Sequence, residues 1–159
     1  AFGPAFDDAF TAGMRTKFGL SGTTDDDQLA TDFLRLLAAQ EVDFTLAFRR
    51  LCDAADGDAT ELRGMFSEPA SFDAWLERWQ AQRPAEAVNG AAMRRINPAF
   101  IPRNHRIEAV IAAAIGGDFA PFEELLTVLS HPYDEQPDFS RYAEPPQPEQ
   151  RVTQTFCGT

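Results

Sequence analysis

Residues 24–37 read TDDDQLATDFLRLL, and this stretch indicates the fold class of the chain. Its acidic run places carboxylates where the free N–H groups and the positive dipole end of an α-helix would lie. The apolar residues that follow recur at helical spacing, and they are Leu29, Phe33, Leu36 and Leu37. The stretch therefore predicts an amphipathic helix with one buried face. Metal binding by the three successive Asp residues is the alternative interpretation, and a charged helix N-terminus is the one we favour.

The segments on either side repeat this pattern. We predict a helix over residues 1–20 and another over 41–55, with Arg49 and Arg50 exposed and the only lysine, Lys17, at a surface helix end. Aromatic residues at spacings of three or four supply the buried faces of these helices. The predicted stripes are Phe2, Phe6, Phe10 and Met14 in the first helix, and Phe44, Phe48 and Leu51 in the second.

The middle of the chain predicts shorter elements. A short helix or turn over 58–66 is expected to stop at Pro69, and a helix over 71–83 is expected to begin at the cap Ser71. Pro84 suits the first turn of one more helix, which would run to about residue 95.

Two further helices are predicted before the chain changes character at residue 132. The first runs over 103–115 and ends at a Gly-Gly pair, and Asp118 is expected to cap the second. The residues expected to face the core are Ile107, Val110, Ile111 and Ala114 in the first, and Phe119, Phe122, Leu125, Leu126 and Leu129 in the second.

These patterns predict an all-α fold, a compact multi-helix bundle over residues 1–131. Five prolines between 132 and 148 predict that residues 132–159 form an extended, non-helical tail that ends in Phe156-Cys157-Gly158-Thr159. A short strand over 152–156 is the one β-type pattern in this tail.

The composition excludes several partners. A net charge of -11 argues against binding to nucleic acid or to an anionic membrane surface. No stretch approaches the roughly 20 apolar residues needed to span a bilayer. The acidic start AFGPAFDDAF lacks the basic region of a signal peptide, so the cytoplasm is the default expectation.

Candidate metal and thiol chemistry is sparse. Cys52 and Cys157 do not have zinc-ligand spacing, and Cys52 on an apolar helix face is expected to be a small buried residue. The acidic run over 53–58 fails the spacing of an EF-hand, so we interpret it as a turn. His105 and Glu108 share a helix face, but a helical metalloenzyme would need matching ligands on other helices.

The run over residues 93–105, MRRINPAFIPRNH, begins an ordered set of motifs that resembles the C-terminal region of the SelO family, also called YdiU. The resemblance spans nearly the whole chain and is weak only over residues 53–92. The other matching stretches are MRTKFGL (14–20), DFTLAFR (43–49), GDF (117–119), LSHPY (129–133), the Pro pair at 145–146, and TFCGT (155–159).

The resemblance implies a longer parent protein with a protein-kinase-like fold, a pseudokinase that transfers AMP from ATP to hydroxyl groups of Ser, Thr or Tyr in other proteins. ATP and a divalent metal, Mg²⁺ or Mn²⁺, would bind in an N-terminal kinase-like domain. This chain has no glycine-rich phosphate loop and no Asp-Phe-Gly motif. We therefore assign it no catalytic, cofactor-binding or metal-binding residue, and we expect the fragment alone not to be an enzyme.

The resemblance also singles out Cys157, because some family members carry selenocysteine at this position. A thiol or selenol there is thought to take part in redox control, and an inert terminal cysteine is the alternative. Reactivity would need an electropositive setting that lowers the thiol pKa.

Asn97, Pro98, Arg103 and Asn104 form the centre of the motif. The functional interpretation is that the local basic group Arg103, Asn104, His105 and Arg106 makes an anion-binding or interdomain contact. We favour a structural role, with Asn97 and Asn104 tying a turn and Arg103 bound to carbonyls or a carboxylate.

The expected partners are the N-terminal kinase-like domain of the same protein and the protein substrates of the parent. The fragment would then act as a scaffold or regulatory part. The alternative is a stand-alone, non-enzymatic helical module that binds other proteins.

Overall fold

The computed structural model describes residues 2–20, 24–83 and 89–150, and within these ranges the chain is helical without a β-strand. The all-α prediction is confirmed. The α-helices are α1 (Phe2–Phe18), α2 (Thr24–Ala39), α3 (Phe44–Ala55), α4 (Thr60–Gly64), α5 (Pro69–Gln82), α6 (Gly90–Arg94), α7 (Asn104–Ile115) and α8 (Ala120–Leu129), followed by 3₁₀ helices at Pro137–Tyr142 and Pro148–Gln150. None of these described helices is long and apolar enough to cross a membrane.

The chain divides into two compact units, Ala1–Pro98 and Ala99–Thr159. The sequence placed a boundary at residue 131 instead. The difference arises because the start of the Pro-rich segment packs on α8, with Tyr142 buried in the same apolar cluster as Leu125 and Val128. The two 3₁₀ helices also add short helical turns to a segment expected to have none. Residues 151–159, with Cys157 and the expected short strand, lie outside the described part of the chain.

Aromatic rings form the centre of the first unit. The ring of Phe33 lies 4.3 Å from that of Trp75, 5.5 Å from that of Phe18 and 5.6 Å from that of Phe48, measured between centroids. All four side chains are at most 2% exposed. Such edge and tilted contacts add to the gain from burying apolar area. This core joins α1, α2, α3 and α5.

The two tryptophans of α5 are also anchored by hydrogen bonds. The indole N–H of Trp75 donates to the carbonyl of Leu29 at 2.9 Å, and that of Trp79 donates to the carbonyl of Phe18 at 3.0 Å. A buried indole N–H without a partner would cost free energy, so these bonds fix how α5 lies on α1 and α2.

Helix starts in the first unit follow local chemistry, with one correction. Asp43 caps α3 by accepting from the N–H of Leu46 at 2.9 Å. Pro69 does not stop the chain there but opens α5, because its fixed φ suits the first helical turn. The expected cap Ser71 is therefore wrong, and Glu68 holds the N-cap position. Asn89 caps α6, and Pro84 lies outside the described residues.

The second unit has a smaller core. Its buried residues are Ala99, Phe100, Val110, Leu125, Val128 and Tyr142. The expected α8 stripe is wrong for Phe119, Phe122 and Leu126, which are more than half exposed, and Ile111 of α7 is 48% exposed. Only one side of this helix pair meets the core. The expected cap Asp118 accepts from the N–H of Ala120 at 3.1 Å, while Phe119 occupies the N-cap position.

Candidate functional site

Asn97 is the centre of a buried polar group, which we call the Asn97 cluster and define as Lys17, Arg49, Cys52 and Asn97. The side chain of Asn97 is 0% exposed. Its Nδ2 donates to the main-chain carbonyl of Lys17 at 2.9 Å, and its Oδ1 accepts from Lys17 Nζ at 3.2 Å. One amide therefore binds both the backbone and the side chain of a residue 80 positions earlier in the chain. These bonds hold the segment after α6 against the end of α1.

Arg49 was expected to be exposed, and that prediction is wrong. It is 6% exposed, and its Nη1 donates to the carbonyls of Arg94 at 3.0 Å and Asn97 at 2.9 Å. These carbonyls lie at and just beyond the end of α6, where helix carbonyls lack partners within the helix. A cation is also favourable at this end of the helix dipole. Arg49 thus joins α3 to α6.

Lys17 is half-buried rather than a surface residue. Its ammonium lies 5.5 Å from the centroid of the Phe48 ring, a distance that allows a cation–π contact. Burial lowers the pKa of Lys17, and the nearby Cys52 acts weakly in the opposite direction. Because desolvation dominates, the folded state favours the neutral amine more than the unfolded chain does.

Cys52 is fully buried, as its place on an apolar helix face predicted. Its Sγ donates to the carbonyl of Phe48 at 3.3 Å and lies 3.7 Å from Asn97 Nδ2. Burial raises the pKa of the Cys52 thiol, while the contact with Asn97 and the charges of Arg49 and Arg94 lower it less. A buried thiol with a raised pKa is a poor nucleophile, so Cys52 acts here as a packing residue.

Acidic residues at the C-terminal end of α3 hold α6 in place. Arg94 forms ion pairs with Asp53 and, at 3.1 Å, with Asp56, and the Oδ1 of Asp56 accepts from the N–H of Gly90 at 2.8 Å. A Cβ at Gly90 would lie 2.2 Å from the carbonyl oxygen of Cys52, so only glycine allows α6 to approach α3 this closely.

The residues singled out from the sequence fall in different places. Asn97 and Pro98 belong to the first unit, whereas Arg103 and Asn104 belong to the second. Arg103 is 7% exposed at the start of α7, and Asn104 is an exposed first residue of that helix. Cys157 lies outside the described residues, so the structure gives it no geometry.

His105 is buried beside Arg103 and Arg106 in the second unit. Burial lowers its pKa most, and the two guanidinium groups lower it further. Within the described ranges, no group of three or more His, Cys, Asp or Glu side chains is arranged to hold a metal ion.

Lys17 and Arg49 are the cluster residues that the sequence did not reveal. Helical spacing places Arg49 beside the apolar stripe of α3, but it does not say that helix-end carbonyls will lie over that position. The motif match was the only signal, since it grouped the stretches MRTKFGL, DFTLAFR and NPAFIPRNH without showing that they meet in space.

Fold and cluster together define an all-α domain in which a buried amide, a lysine and an arginine join three helices. A family model described as protein adenylyltransferase SelO matches residues 1–130. The chain therefore belongs to the SelO family.

Curated relatives extend this match to almost the whole chain. It is 55% identical to a protein nucleotidyltransferase YdiU of Rhodopseudomonas palustris and 56% identical to one of a Bradyrhizobium species, each over 99% of this chain. The match covers 34% of each relative. The chain thus spans about a third of the length of the curated relatives it matches.

Removing the Asn97 amide should destabilise the first unit. In Asn97→Ala, Lys17 Nζ and the Lys17 carbonyl lose buried partners, which costs about 1–3 kcal/mol. The matched control, Asn104→Ala, removes an exposed amide and should change stability by less than about 0.5 kcal/mol. Urea denaturation measures both. Equal losses of stability in the two variants would contradict the role of Asn97 in holding the segment after α6 against α1.

Lys17 should titrate at a lower pH in the folded chain than in the unfolded chain. As the only lysine, it gives a single side-chain signal in a ¹³C-lysine-labelled NMR sample. Because the unfolded chain binds this proton more tightly, Lys17 opposes folding below its folded pKa. This destabilisation of the folded state disappears as the pH rises from the lowered pKa of Lys17 in the folded chain to the ordinary lysine pKa of the unfolded chain. The same midpoint with and without urea would show that the ammonium is not desolvated.

Proposed function

We propose that this chain is the C-terminal helical part of an enzyme that transfers AMP from ATP to Ser, Thr or Tyr hydroxyl groups of proteins. The observation that carries this proposal is the match to protein nucleotidyltransferases over 99% of the chain at 55% identity. In such a transfer, the hydroxyl oxygen attacks the α-phosphorus of ATP and the bond to the departing pyrophosphate breaks. The hydroxyl proton leaves to a base or to solvent.

We place this chemistry in the part of the enzyme outside these 159 residues. The sequence has no glycine-rich phosphate loop or Asp-Phe-Gly motif to hold ATP and its metal. The polar groups of the Asn97 cluster are occupied with one another and with helix-end carbonyls. A group already committed to such buried bonds is poorly suited to bind a substrate as well. The chain serves as a scaffold for a kinase-like domain that binds ATP with Mg²⁺ or Mn²⁺.

The kinase-like domain of the same polypeptide and the acceptor proteins are the proposed partners. The net charge of -11 supports neither nucleic acid nor an anionic membrane as a partner. A free buried thiol at Cys52 agrees with a reducing compartment, and we propose the cytoplasm.

Cys157 is the proposed redox residue. In this role its thiolate would attack a small-molecule disulfide, form a mixed disulfide and release one thiolate. A second protein thiol would then displace the small molecule as another thiolate, leaving an intramolecular disulfide. The net step oxidises two protein thiols and reduces one disulfide.

The full-length protein should transfer label from ATP labelled at the α-phosphate to an acceptor protein in the presence of Mg²⁺ or Mn²⁺. ATP labelled at the γ-phosphate serves as the control and should leave no label on the acceptor. Residues 1–159 alone should give no product with either nucleotide. Both reactions are followed by autoradiography of the separated proteins and by the mass of the modified peptide.

Two results would contradict the proposal. Transfer of the γ-label would mean that the enzyme is a kinase. Modification by residues 1–159 alone would mean that the chemistry lies within this chain. Residues 1–159 occurring as a separate protein that transfers no label and binds other proteins would instead favour the stand-alone helical module.

A further inference from the structure

The helix pair of the second unit exposes a set of large apolar side chains. We call this set the α7–α8 apolar surface. Their exposed fractions range from 48% to 84%, and the residues are Ile111, Ile115, Phe119, Phe122 and Leu126. Ile111 and Ile115 lie one turn apart on α7, and Phe122 and Leu126 lie one turn apart on α8. Phe119 is the N-cap residue of α8, four positions after Ile115, so all five residues lie within about two helical turns of the loop that joins α7 to α8.

The charge pattern of this segment is typical of an interface. Residues 111–122 read IAAAIGGDFAPF and contain one charged residue, Asp118, although a quarter of the whole chain is charged. The centres of protein interfaces are depleted of charge and enriched in aromatic residues. Single exposed apolar residues need no explanation, but five large ones within the short segment 111–126 are typical of a surface that another part of a protein covers.

The size of the second unit explains why it needs a cover. It spans Ala99–Thr159, and among its described residues, which end at position 150, the core has six buried residues. A core in a unit below about 70–80 residues rarely supplies more than about 3–5 kcal/mol. While two Phe, two Ile and one Leu stay in water, the unit lacks the stabilising free energy that burying these side chains would add. Docking them against another surface would recover it.

We propose that the α7–α8 apolar surface docks onto the catalytic part of the same polypeptide, outside these 159 residues. We infer this partner from the length of the relatives. This chain covers only 34% of them, so a protein of that length has about two-thirds of its residues left to pack against this surface. The inference rests on the proposed function, which supplies the catalytic part as the occupant. Asp118 and Glu123 are exposed and adjoin Phe119 and Phe122 in the sequence, so we expect the complementary patch to have an apolar centre with a basic rim.

The size of the surface favours an intramolecular occupant over a second copy. Five partly exposed side chains offer on the order of several hundred Å², whereas a stable dimer buries about 800 Å² on each partner. A segment of the same polypeptide is present at a high effective concentration, so a smaller surface is enough to hold it.

A photo-crosslinker in the full-length protein tests this docking. We expect Phe122→p-benzoylphenylalanine, irradiated and digested, to give peptides joined to the same polypeptide outside residues 1–159. Thr127→p-benzoylphenylalanine is the matched control, because Thr127 is exposed on the same helix and lies about 140° around the helix axis from Phe122. We expect at least tenfold less of the same product from the control.

Several results would overturn the inference: crosslinks from position 122 mainly to residues 2–98, a product of doubled mass that indicates a second copy, or a yield equal to that of the control. An AMP-transfer assay on unmodified full-length protein separates the two proposals. Crosslinks to the expected region without AMP transfer would remove the proposed function and leave the interface. AMP transfer without those crosslinks would leave the proposed function and remove the interface.

Discussion

A buried amide must find partners for its N–H and its C=O, and in this chain Asn97 finds both in one residue of another helix. Nδ2 and Oδ1 bind the carbonyl and the ammonium of Lys17, while the main-chain carbonyl of Asn97 accepts from Arg49. The three bonds fix the end of α6 relative to α1 and α3. Moving any of these helices would leave a buried polar group unpaired, which costs more free energy than one hydrogen bond contributes.

The aromatic core and the Asn97 cluster play different physical roles. Rings around Phe33 form the centre of the apolar core of the first unit, but apolar contact is not directional and allows helices to slide. The cluster is directional, so it selects one arrangement of the helices that the rings stabilise. Its cost is the desolvation of Lys17 and Arg49, which their hydrogen bonds to Asn97 and to helix-end carbonyls offset. This combination gives the helices of the first unit one fixed arrangement.

Helical periodicity predicted the fold class and part of the first core, because Phe33 and Phe48 lie on stripes that are buried in the structure. It was wrong for Phe6, Phe10 and Phe44, which are 57%, 54% and 45% exposed. Periodicity identifies the apolar face of a helix, but it does not show whether another element packs on that face. The spacing of Phe119 and Phe122 is the same whether that face meets a core or water. Arginine is mostly an exposed residue type, so the sequence predicted an exposed Arg49, but the carbonyl of Arg94 in α6 covers its guanidinium group. The cap at Ser71 failed because Pro69 opened the helix two residues earlier. The order of the motifs identified the family, but it did not show which of the motifs contact one another in the folded chain.

We expect Lys17 and Asn97 to stabilise the fold as a pair. A double-mutant cycle measures this through the free energies of unfolding of the parent chain, Lys17→Met, Asn97→Ala and the double variant. The effects of the two substitutions should not be additive, and the coupling energy should be about 1 kcal/mol, since the Nζ and Oδ1 atoms are 3.2 Å apart and partly shielded from water. Additive effects, with a coupling energy indistinguishable from zero, would show that the two side chains do not act as a pair.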